Sequence, residues 1–177
     1  MQYITTYQSP LGEILLAADE TGLTGLWFEG EKYYALNLDL DHKERETRLL
    51  SDAKSWLTIY FSGKEPDFMP PMHMLGTAFQ KTVWEILRTI SYGETTTYGK
   101  IAEQVAKKRG LKRMSSQAVG NAVGRNELSI FIPCHRVVGT NGSLTGYAGG
   151  IDKKIALLQL ENAYNDAFFV PKNSTAP

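Results

Sequence analysis

The spacing of hydrophobic residues changes along the chain from a strand-like to a helical pattern. Residues 1–30 hold short runs of β-branched and aromatic side chains, separated by Ser-Pro-Leu-Gly and by turns that contain Asp and Gly. This pattern predicts an antiparallel meander. From about His42 to Phe61 the apolar residues recur every three or four positions, which predicts one amphipathic helix that ends before Gly63.

Prolines between residues 63 and 75 mark a linker, because proline removes a backbone donor and disfavours helix in the residue before it. Beyond the linker the pattern predicts four helices with short connections. They run from about Phe79 to Ile90 before a break at Gly93-Glu94, from about Thr97, from Ser116 to about Gly124 with Ser115 as N-cap, and from an N-cap at Asp152.

These elements predict an α+β fold with two domains. Residues 1–75, with the linker at about 63–75, should form a small antiparallel sheet and one helix. Residues 76–165 should form a helical domain that contains a helix-turn-helix. Residues 166–177 form a tail in this division, and we expect the chain after Tyr164, with its Pro, Asn, Ser and Thr, to be disordered.

Charge is divided unevenly, although the formal net charge is zero. Residues 1–75 carry 12 acidic against 6 basic residues, whereas residues 98–136 carry 8 basic against 2 acidic residues. The basic half favours an anionic partner, and a solvated surface cluster is the open alternative. Within this half, two helices joined by a basic loop are typical of DNA-binding helix pairs.

The second helix of this pair, in SSQAVGNAVG, is rich in glycine and alanine. Such residues lower helix propensity and add little core volume. Two interpretations stay open: the helix lies against a DNA backbone or groove floor, or it packs tightly on a neighbouring helix.

The chain has one cysteine, so no intramolecular disulfide can form, and its start lacks the basic and apolar regions of a signal peptide. Its apolar runs are too short to span a bilayer. These features predict a cytoplasmic protein without membrane contact. The histidines and the cysteine lack the paired spacing of zinc ligands, so we expect no metal. Neither a P-loop nor a dinucleotide fingerprint occurs.

The single cysteine lies in FIPCHRVVGTNG, between Pro133 and His135. Cys134 is either a small buried hydrophobe or a nucleophile, and a nucleophile needs a base or a positive environment to form its thiolate. His135 is the candidate base if a turn or a bridging water brings it close. Glu161 is the candidate carboxylate that orients the imidazole, because an unpaired acid would be costly to bury on the apolar last helix.

The hexapeptide IPCHRV at residues 132–137 resembles the active-site sequence of the O6-alkylguanine-DNA alkyltransferases, also called methylated-DNA–protein-cysteine methyltransferases. The similarity covers about residues 77–162. It includes Gly93-Glu94 with Tyr98, AVG at 118–120 with Asn126, GYAGG at 146–150, and Leu157-Leu158 with Glu161. The resemblance implies a ribonuclease H-like N-terminal domain, a winged-helix-like C-terminal domain, and a monomer that acts on double-stranded DNA without a cofactor.

In such a protein the alkyl group of O6-alkylguanine, and of O4-alkylthymine, would pass irreversibly to Cys134 after the base flips out of the duplex. The resemblance implies that His135 takes the thiol proton through a water and that Glu161 orients the imidazole. Asn126 would hold the segment that bears the cysteine, and Tyr98 would donate to guanine N3. The implied substrate-binding residues are Val137, Tyr147, Ala148 and Val123.

The resemblance also implies a set of DNA-contacting residues: Ser116, Gln117, Ala118, Gly120, Asn121, Arg125 and Arg136. Family members usually have arginine at the position of Gln117, where the side chain fills the gap left by the flipped base. Glutamine is shorter and uncharged. The basic loop Ala106–Met114 is a second departure because it is longer, and we expect its cations to contact phosphates.

Two other functions stay open from the sequence. An alkyltransferase-like protein would bind the lesion without transferring its alkyl group; Cys134 argues against this class, which usually replaces the cysteine, whereas Gln117 is mildly in its favour. A Cys-His hydrolase would need an acyl pocket and an oxyanion hole. The basic helix pair near Cys134 argues against a hydrolase.

Overall fold

The computed structural model describes residues 1–172, and these form two compact units. The first contains Met1–Leu75 together with Glu127–Phe131, and the second contains Gly76–Asn126 together with the chain from Ile132 onward. The sequence does not predict the assignment of Glu127–Phe131 to the first unit. Among the described residues, no helix has the length and apolar character needed to cross a membrane.

The first unit is built on a four-stranded sheet with the strand order β3-β2-β1-β4. Strands β1 (Gln2–Ser9), β2 (Gly12–Ala18) and β3 (Leu23–Phe28) pair antiparallel, which confirms the predicted meander. Every residue of β3 and most of β2 are buried. β3 is the last strand at one end of the sheet, and its outer edge is covered by parallel bridges from Leu23 to Met72 and from Leu26 to Leu128.

The prediction of a helix from about His42 is wrong at its start. His42–Glu44 forms the short strand β4, which pairs in parallel with β1, and helix α1 covers Arg48–Phe61. The side chain of Thr47 caps α1 by accepting a hydrogen bond from Leu50 N. Residues before this cap carry no apolar stripe, so the open edge of the sheet determines their conformation.

Glu127–Phe131 packs within the first unit through backbone and side-chain contacts. Leu26 N donates to Glu127 O over 2.8 Å, and the indole N–H of Trp27 donates to the Glu127 carboxylate over 2.5 Å. The ring of Phe131 lies 4.7 Å from that of Trp56. This short segment is therefore anchored at both its charged and its aromatic end.

The second unit is mainly helical, which confirms the α+β fold class with a helix-turn-helix. Helix α2 covers Ala78–Leu87, so Ile90 lies beyond its end, and the indole of Trp84 donates to Ala122 O over 2.9 Å. The helix pair consists of α3 (Tyr98–Lys108) and α4 (Ser116–Gly124), capped by Thr97 and Ser115. Strands β5 (Thr96–Thr97) and β6 (Val137–Val138) pair in parallel, and α5 covers Ile151–Leu160.

Two predictions for the C-terminal part are wrong. The N-cap of α5 is Gly150, at a φ of 98°, and Asp152 lies in the first turn, where its charge still favours the helix dipole. The chain after Tyr164 is partly ordered, since Phe169 exchanges backbone hydrogen bonds with Gly142 and Leu144. Residues 173–177 of the predicted tail lie outside the described residues.

Candidate active site

Cys134 begins a single 3-10 turn, Cys134–Arg136, immediately before β6. Its N–H donates to Ile132 O over 2.8 Å, its own carbonyl accepts from Val137 N, and the residue is only 4% exposed. Because this segment is a turn, the alternation of side chains along an extended strand does not apply to Cys134 and His135. The turn on which the role of His135 depended is therefore present.

Asn126 holds the cysteine segment. Its side-chain amide donates to Ile132 O over 2.9 Å and to Sγ of Cys134 over 3.2 Å, and the residue is buried. The first hydrogen bond joins Asn126, where the chain leaves the second unit, to Ile132, where the chain returns to it. The second directs a donor at sulfur, which favours the thiolate.

A buried carboxylate connects His135 with Arg136. Oε2 of Glu161 lies 2.6 Å from Nε2 of His135, and Oε1 accepts from Nε of Arg136 over 2.7 Å. Burial alone would raise the pKa of Glu161, but the hydrogen bonds and charges of His135 and Arg136 outweigh burial and hold it well below its usual range. Burial lowers the pKa of His135 despite the nearby carboxylate, so the imidazole is kept neutral.

Arg136 departs from the DNA-binding role expected from the sequence. The residue is 8% exposed, and Nη1 donates to Ile90 O over 2.7 Å while Nε is occupied by Glu161. Its guanidinium also lies 5.7 Å from the ring centre of Tyr92. These contacts direct the cation into the unit, where it stabilises the charge of Glu161.

Tyr98 is the first residue of α3, and its hydroxyl donates to Thr145 O over 3.1 Å. Burial and the charge of a Cys134 thiolate raise the pKa of Tyr98 to about 12, so the phenol keeps its proton at neutral pH. Gly146 has a φ of 76°, and an added Cβ would lie 3.1 Å from this hydroxyl. Glycine here supplies both the left-handed conformation and the space that Tyr98 requires.

Lys154 is a site residue that the sequence reasoning missed. The side chain is completely buried on α5, and Nζ donates to Thr145 O over 2.8 Å and lies 5.9 Å from the ring centre of Tyr98. Burial lowers the pKa of Lys154 to about 8, although a negative charge on Cys134 acts to raise it. The missed signal is its spacing, because Lys154 precedes Leu157, Leu158 and Glu161 by three, four and seven residues on the buried face of α5.

The residues expected to bind substrate are all buried. Tyr147 lies edge-on to the His135 ring at 6.4 Å between ring centres, and Ala148 follows it at 6% exposure. Val137 belongs to β6, where it pairs with Thr96. Val123 lies on the inner face of α4. The structure thus brings Tyr147 to the imidazole and places Val123 in the helix packing.

Helix α4 presents the other expected DNA contacts on its outer side. Ser116, Gln117 and Asn121 are exposed, whereas Ala118 and Gly120 are partly buried, and Arg125 follows as the exposed C-cap. A Cβ on Gly120 would lie 3.8 Å from the Tyr98 ring, and one on Gly124 would lie 3.9 Å from Gly146 O. The small residues of α4 therefore do pack on their own unit, and this does not exclude an approach from outside.

The arrangement fits nucleophilic chemistry at sulfur. It combines a buried thiol, an amide donor on that thiol, a neutral imidazole oriented by a carboxylate, a protonated phenol and a buried ammonium. Among residues 1–172, no group of three or more His, Cys, Asp or Glu side chains is placed to hold a metal ion.

Two family models match the chain over most of its length. The model described as "6-O-methylguanine DNA methyltransferase, ribonuclease-like domain" matches residues 2–73. The model described as "6-O-methylguanine DNA methyltransferase, DNA binding domain" matches residues 78–163, which include Cys134, His135 and Glu161.

Individual proteins agree with the family models. The methylated-DNA–protein-cysteine methyltransferase of Methanosarcina acetivorans is 42% identical over 162 residues, which are 91% of this chain and 99% of that relative. The constitutive protein of that name from Bacillus subtilis is 40% identical over 163 residues, 91% of this chain and 96% of the relative. The crystal structure of Mycobacterium tuberculosis OGT in complex with DNA has a TM-score of 0.78 and 38% identity, and covers 91% of this chain and 93% of that one.

Proposed function

This chain belongs to the 6-O-methylguanine DNA methyltransferase family, and we propose that it repairs double-stranded DNA by transferring the alkyl group of O6-alkylguanine to its own Cys134. The observation that carries this proposal is the Cys134 thiol, which accepts a hydrogen bond from Asn126 and is followed in sequence by His135, whose imidazole pairs with the buried Glu161. Relatives 42% and 40% identical are named as methyltransferases, so a lesion-binding protein without transfer is not favoured.

In the proposed reaction, Sγ of Cys134 forms a bond to the alkyl carbon while the bond from that carbon to O6 breaks. A soft sulfur nucleophile suits this substitution at carbon. The thiol proton passes through a bridging water to His135, whose lowered pKa keeps it neutral and able to accept. Glu161 stabilises the imidazolium that forms, and the base finally gains one proton in place of its alkyl group.

Negative charge develops on the guanine as it leaves, and Tyr98 neutralises it by donating to N3. The raised pKa of Tyr98 supports this role, because a phenol that stays protonated can donate throughout the reaction. Before substrate binds, the hydroxyl donates to Thr145 O over 3.1 Å, so the substrate would replace an existing acceptor.

The substrate base would lie against Tyr147, Ala148 and Val137, with Val123 supporting the pocket from α4. The exposed side of α4, with Ser116, Gln117 and Asn121, would contact the duplex near the flipped base. O4-alkylthymine is the second proposed substrate, since it also carries an alkyl group on an exocyclic oxygen.

The thioether product is stable, and none of the side chains gathered around Cys134 offers a route to remove the alkyl group. Each protein molecule would therefore act once. We also propose a cytoplasmic location, where reducing conditions keep the only thiol of the chain available.

Intact-protein mass spectrometry tests the function directly. Native protein and Cys134→Ser are each incubated with a duplex that carries one O6-methylguanine. We expect the native protein alone to gain one methyl group, about 14 Da, in stoichiometric yield, because the sulfur is the acceptor. Tight binding to the same duplex without a mass gain would instead identify a lesion-binding protein and overturn the proposal.

A further inference from the structure

Helix α4 carries no charged side chain. Its sequence, SQAVGNAVG, contains only small, apolar and amide residues. Non-specific affinity for a duplex comes mainly from Lys and Arg that neutralise phosphates and release counterions. If α4 faces DNA, as the proposed function requires, the electrostatic part of the affinity has to come from residues beside this helix.

The chain immediately before α4 is the most basic stretch of the second unit. Lys107–Arg113, called the basic segment below, has five cations in seven residues and no acidic residue. Every residue of the segment is exposed. Such a density of one charge on one loop forms a compact positive surface.

Only some of the five cations have a stabilising contact within the protein. Lys107 and Lys108 lie in the last turn of α3, where the helix dipole favours cations, and the Arg109 guanidinium lies 5.5 Å from the ring centre of Phe79. Lys112 and Arg113 lie beyond the helix. In the part of the chain that the structure describes, none of the five cations forms an ion pair with a carboxylate.

An ordered turn directs the end of the basic segment towards the start of α4. Gly110 has a φ of 66°, and backbone hydrogen bonds from Gly110 to Lys107 and from Leu111 to Ala106 close the end of α3. Arg113 is then two residues from Ser115, whose hydroxyl accepts from Ala118 N as the N-cap of α4. Since Arg125 is the C-cap, cations lie at both ends of an uncharged helix.

We propose that the basic segment is a phosphate-docking surface that supplies most of the salt-dependent affinity for duplex DNA, whether or not the duplex is damaged. This inference rests on the proposed function and goes beyond it, because it separates two tasks. The basic segment holds the DNA backbone, and the uncharged face of α4 contacts the lesion. Attraction of this kind acts over about 10 Å at 0.1 M salt, so it does not need a fixed side-chain geometry.

The test uses Lys108→Gln/Lys112→Gln/Arg113→Gln, which leaves Lys107 at the helix dipole and Arg109 on Phe79. Binding to an undamaged 20-base-pair duplex is measured by fluorescence anisotropy at several salt concentrations. The slope of log affinity against log salt is negative, and each lost phosphate contact should reduce its magnitude by about 0.9. We therefore expect its magnitude to decrease by roughly 2 to 3, with at least about a tenfold loss of affinity at low salt.

The matched control is Lys43→Gln/Arg48→Gln/Lys64→Gln, which removes two lysines and one arginine from exposed positions of the first unit. It should keep the native slope, and Lys108→Arg/Lys112→Arg should keep it as well because the charge is unchanged. An unchanged slope in the first variant overturns the proposal, as does an equal decrease in the control, which would reflect net charge alone.

Binding to undamaged DNA does not depend on alkyl transfer, so the two proposals fail separately. Transfer is measured on the same proteins by intact mass with a saturating O6-methylguanine duplex. A native protein that binds undamaged duplex through the basic segment but gains no mass would contradict the proposed function and leave the docking surface standing.

Discussion

Nε2 of His135 lies 2.6 Å from Oε2 of Glu161, and both side chains are completely buried. An ionised carboxylate can only accept a hydrogen bond, so Nε2 carries the hydrogen of the neutral imidazole and Nδ1 is its basic nitrogen. Arg136 holds the other oxygen of the carboxylate at 2.7 Å. The pair therefore fixes the tautomer in which Nδ1 of His135 is free of hydrogen and can accept the proton in the proposed reaction.

We expect Glu161→Gln to slow methyl transfer by about a hundredfold or more, because the imidazolium loses its stabilising charge. Since Glu161 raises the pKa of His135 against the effect of burial, the variant should have an even lower imidazole pKa. Activity needs the neutral base, so the fall in rate at acid pH should move to lower pH. Single-turnover rates from pH 5 to 8 measure both effects.

Glu85→Gln is the control for this variant, because Glu85 is an exposed carboxylate on α2. It should leave rate and pH profile unchanged. If Glu161 has a purely structural role, Glu161→Gln should reduce the fraction of active protein but leave the fall in rate at acid pH where it is. That outcome would contradict the proposed tautomer.

The sequence predicts the helix pair well, because periodicity and caps agree there. Ser115 stands before the apolar positions of α4 and does cap it, and α3 begins at Tyr98 after Thr97. Local signals of this kind depend only on neighbouring residues. The same reasoning fails at His42–Glu44, where hydrogen bonding to β1 rather than any side-chain pattern creates a strand.

Within the site, the motif predicts the sequence neighbours of Cys134 but not the charges from distant elements. Lys154 looks like an ordinary surface lysine beside Lys153, and only its helical phase relative to Leu157 indicates burial. The sequence predicts that Arg136 contacts DNA, whereas in the structure its guanidinium donates to Glu161 and to Ile90 O. The burial of Lys154 thus has one local signal, whereas the contacts of Arg136 depend on distant elements that its neighbours in sequence do not indicate.

Asn126→Asp should separate hydrogen bonding from packing at the cysteine, since the two side chains have the same shape. Asp cannot donate to Ile132 O or to Sγ, and its charge opposes a thiolate. We expect a loss of about 1–3 kcal/mol in the free energy of unfolding and a higher pH for half-maximal alkylation by iodoacetamide. Chemical denaturation and pH-dependent labelling measure these changes. Native labelling with lower stability would show that the amide acts on the backbone only.

Gly120→Ala tests the two interpretations of the small residues in α4. The added methyl would lie 3.8 Å from the Tyr98 ring, an ordinary contact, and alanine is the better helix former. We therefore expect a gain of about 0.5–1 kcal/mol in the free energy of unfolding. If DNA approaches the exposed side of α4 closely, affinity for O6-methylguanine duplex should fall at the same time. Higher stability with native affinity would favour internal packing as the only reason for glycine.

Lys154→Met removes a buried charge and keeps a long unbranched side chain. Transfer should slow by about tenfold or more, because the cation that favours the Cys134 thiolate and holds Thr145 O is lost. Stability should be unchanged or higher, since replacing a desolvated charge by an apolar group of similar volume is often stabilising. Single-turnover kinetics and thermal unfolding test this pair of expectations. A variant that loses stability and activity together would indicate a structural lysine.

The lowered pKa of Lys154 also predicts how the free energy of unfolding depends on pH. Its pKa of about 8 in the folded protein lies below the ordinary value of 10.5, so the unfolded chain binds more protons between these values. The free energy of unfolding should therefore rise with pH in this window, by about 1 kcal/mol per unit, relative to Lys154→Met. Below pH 8 both states carry the charge, and the difference between the two proteins should be constant. Tyr98 acts in the opposite direction above pH 10, because its pKa is raised to about 12. Urea unfolding of both proteins from pH 7 to 10 measures the slope, and parallel curves would mean that the ammonium of Lys154 is solvated in the folded state.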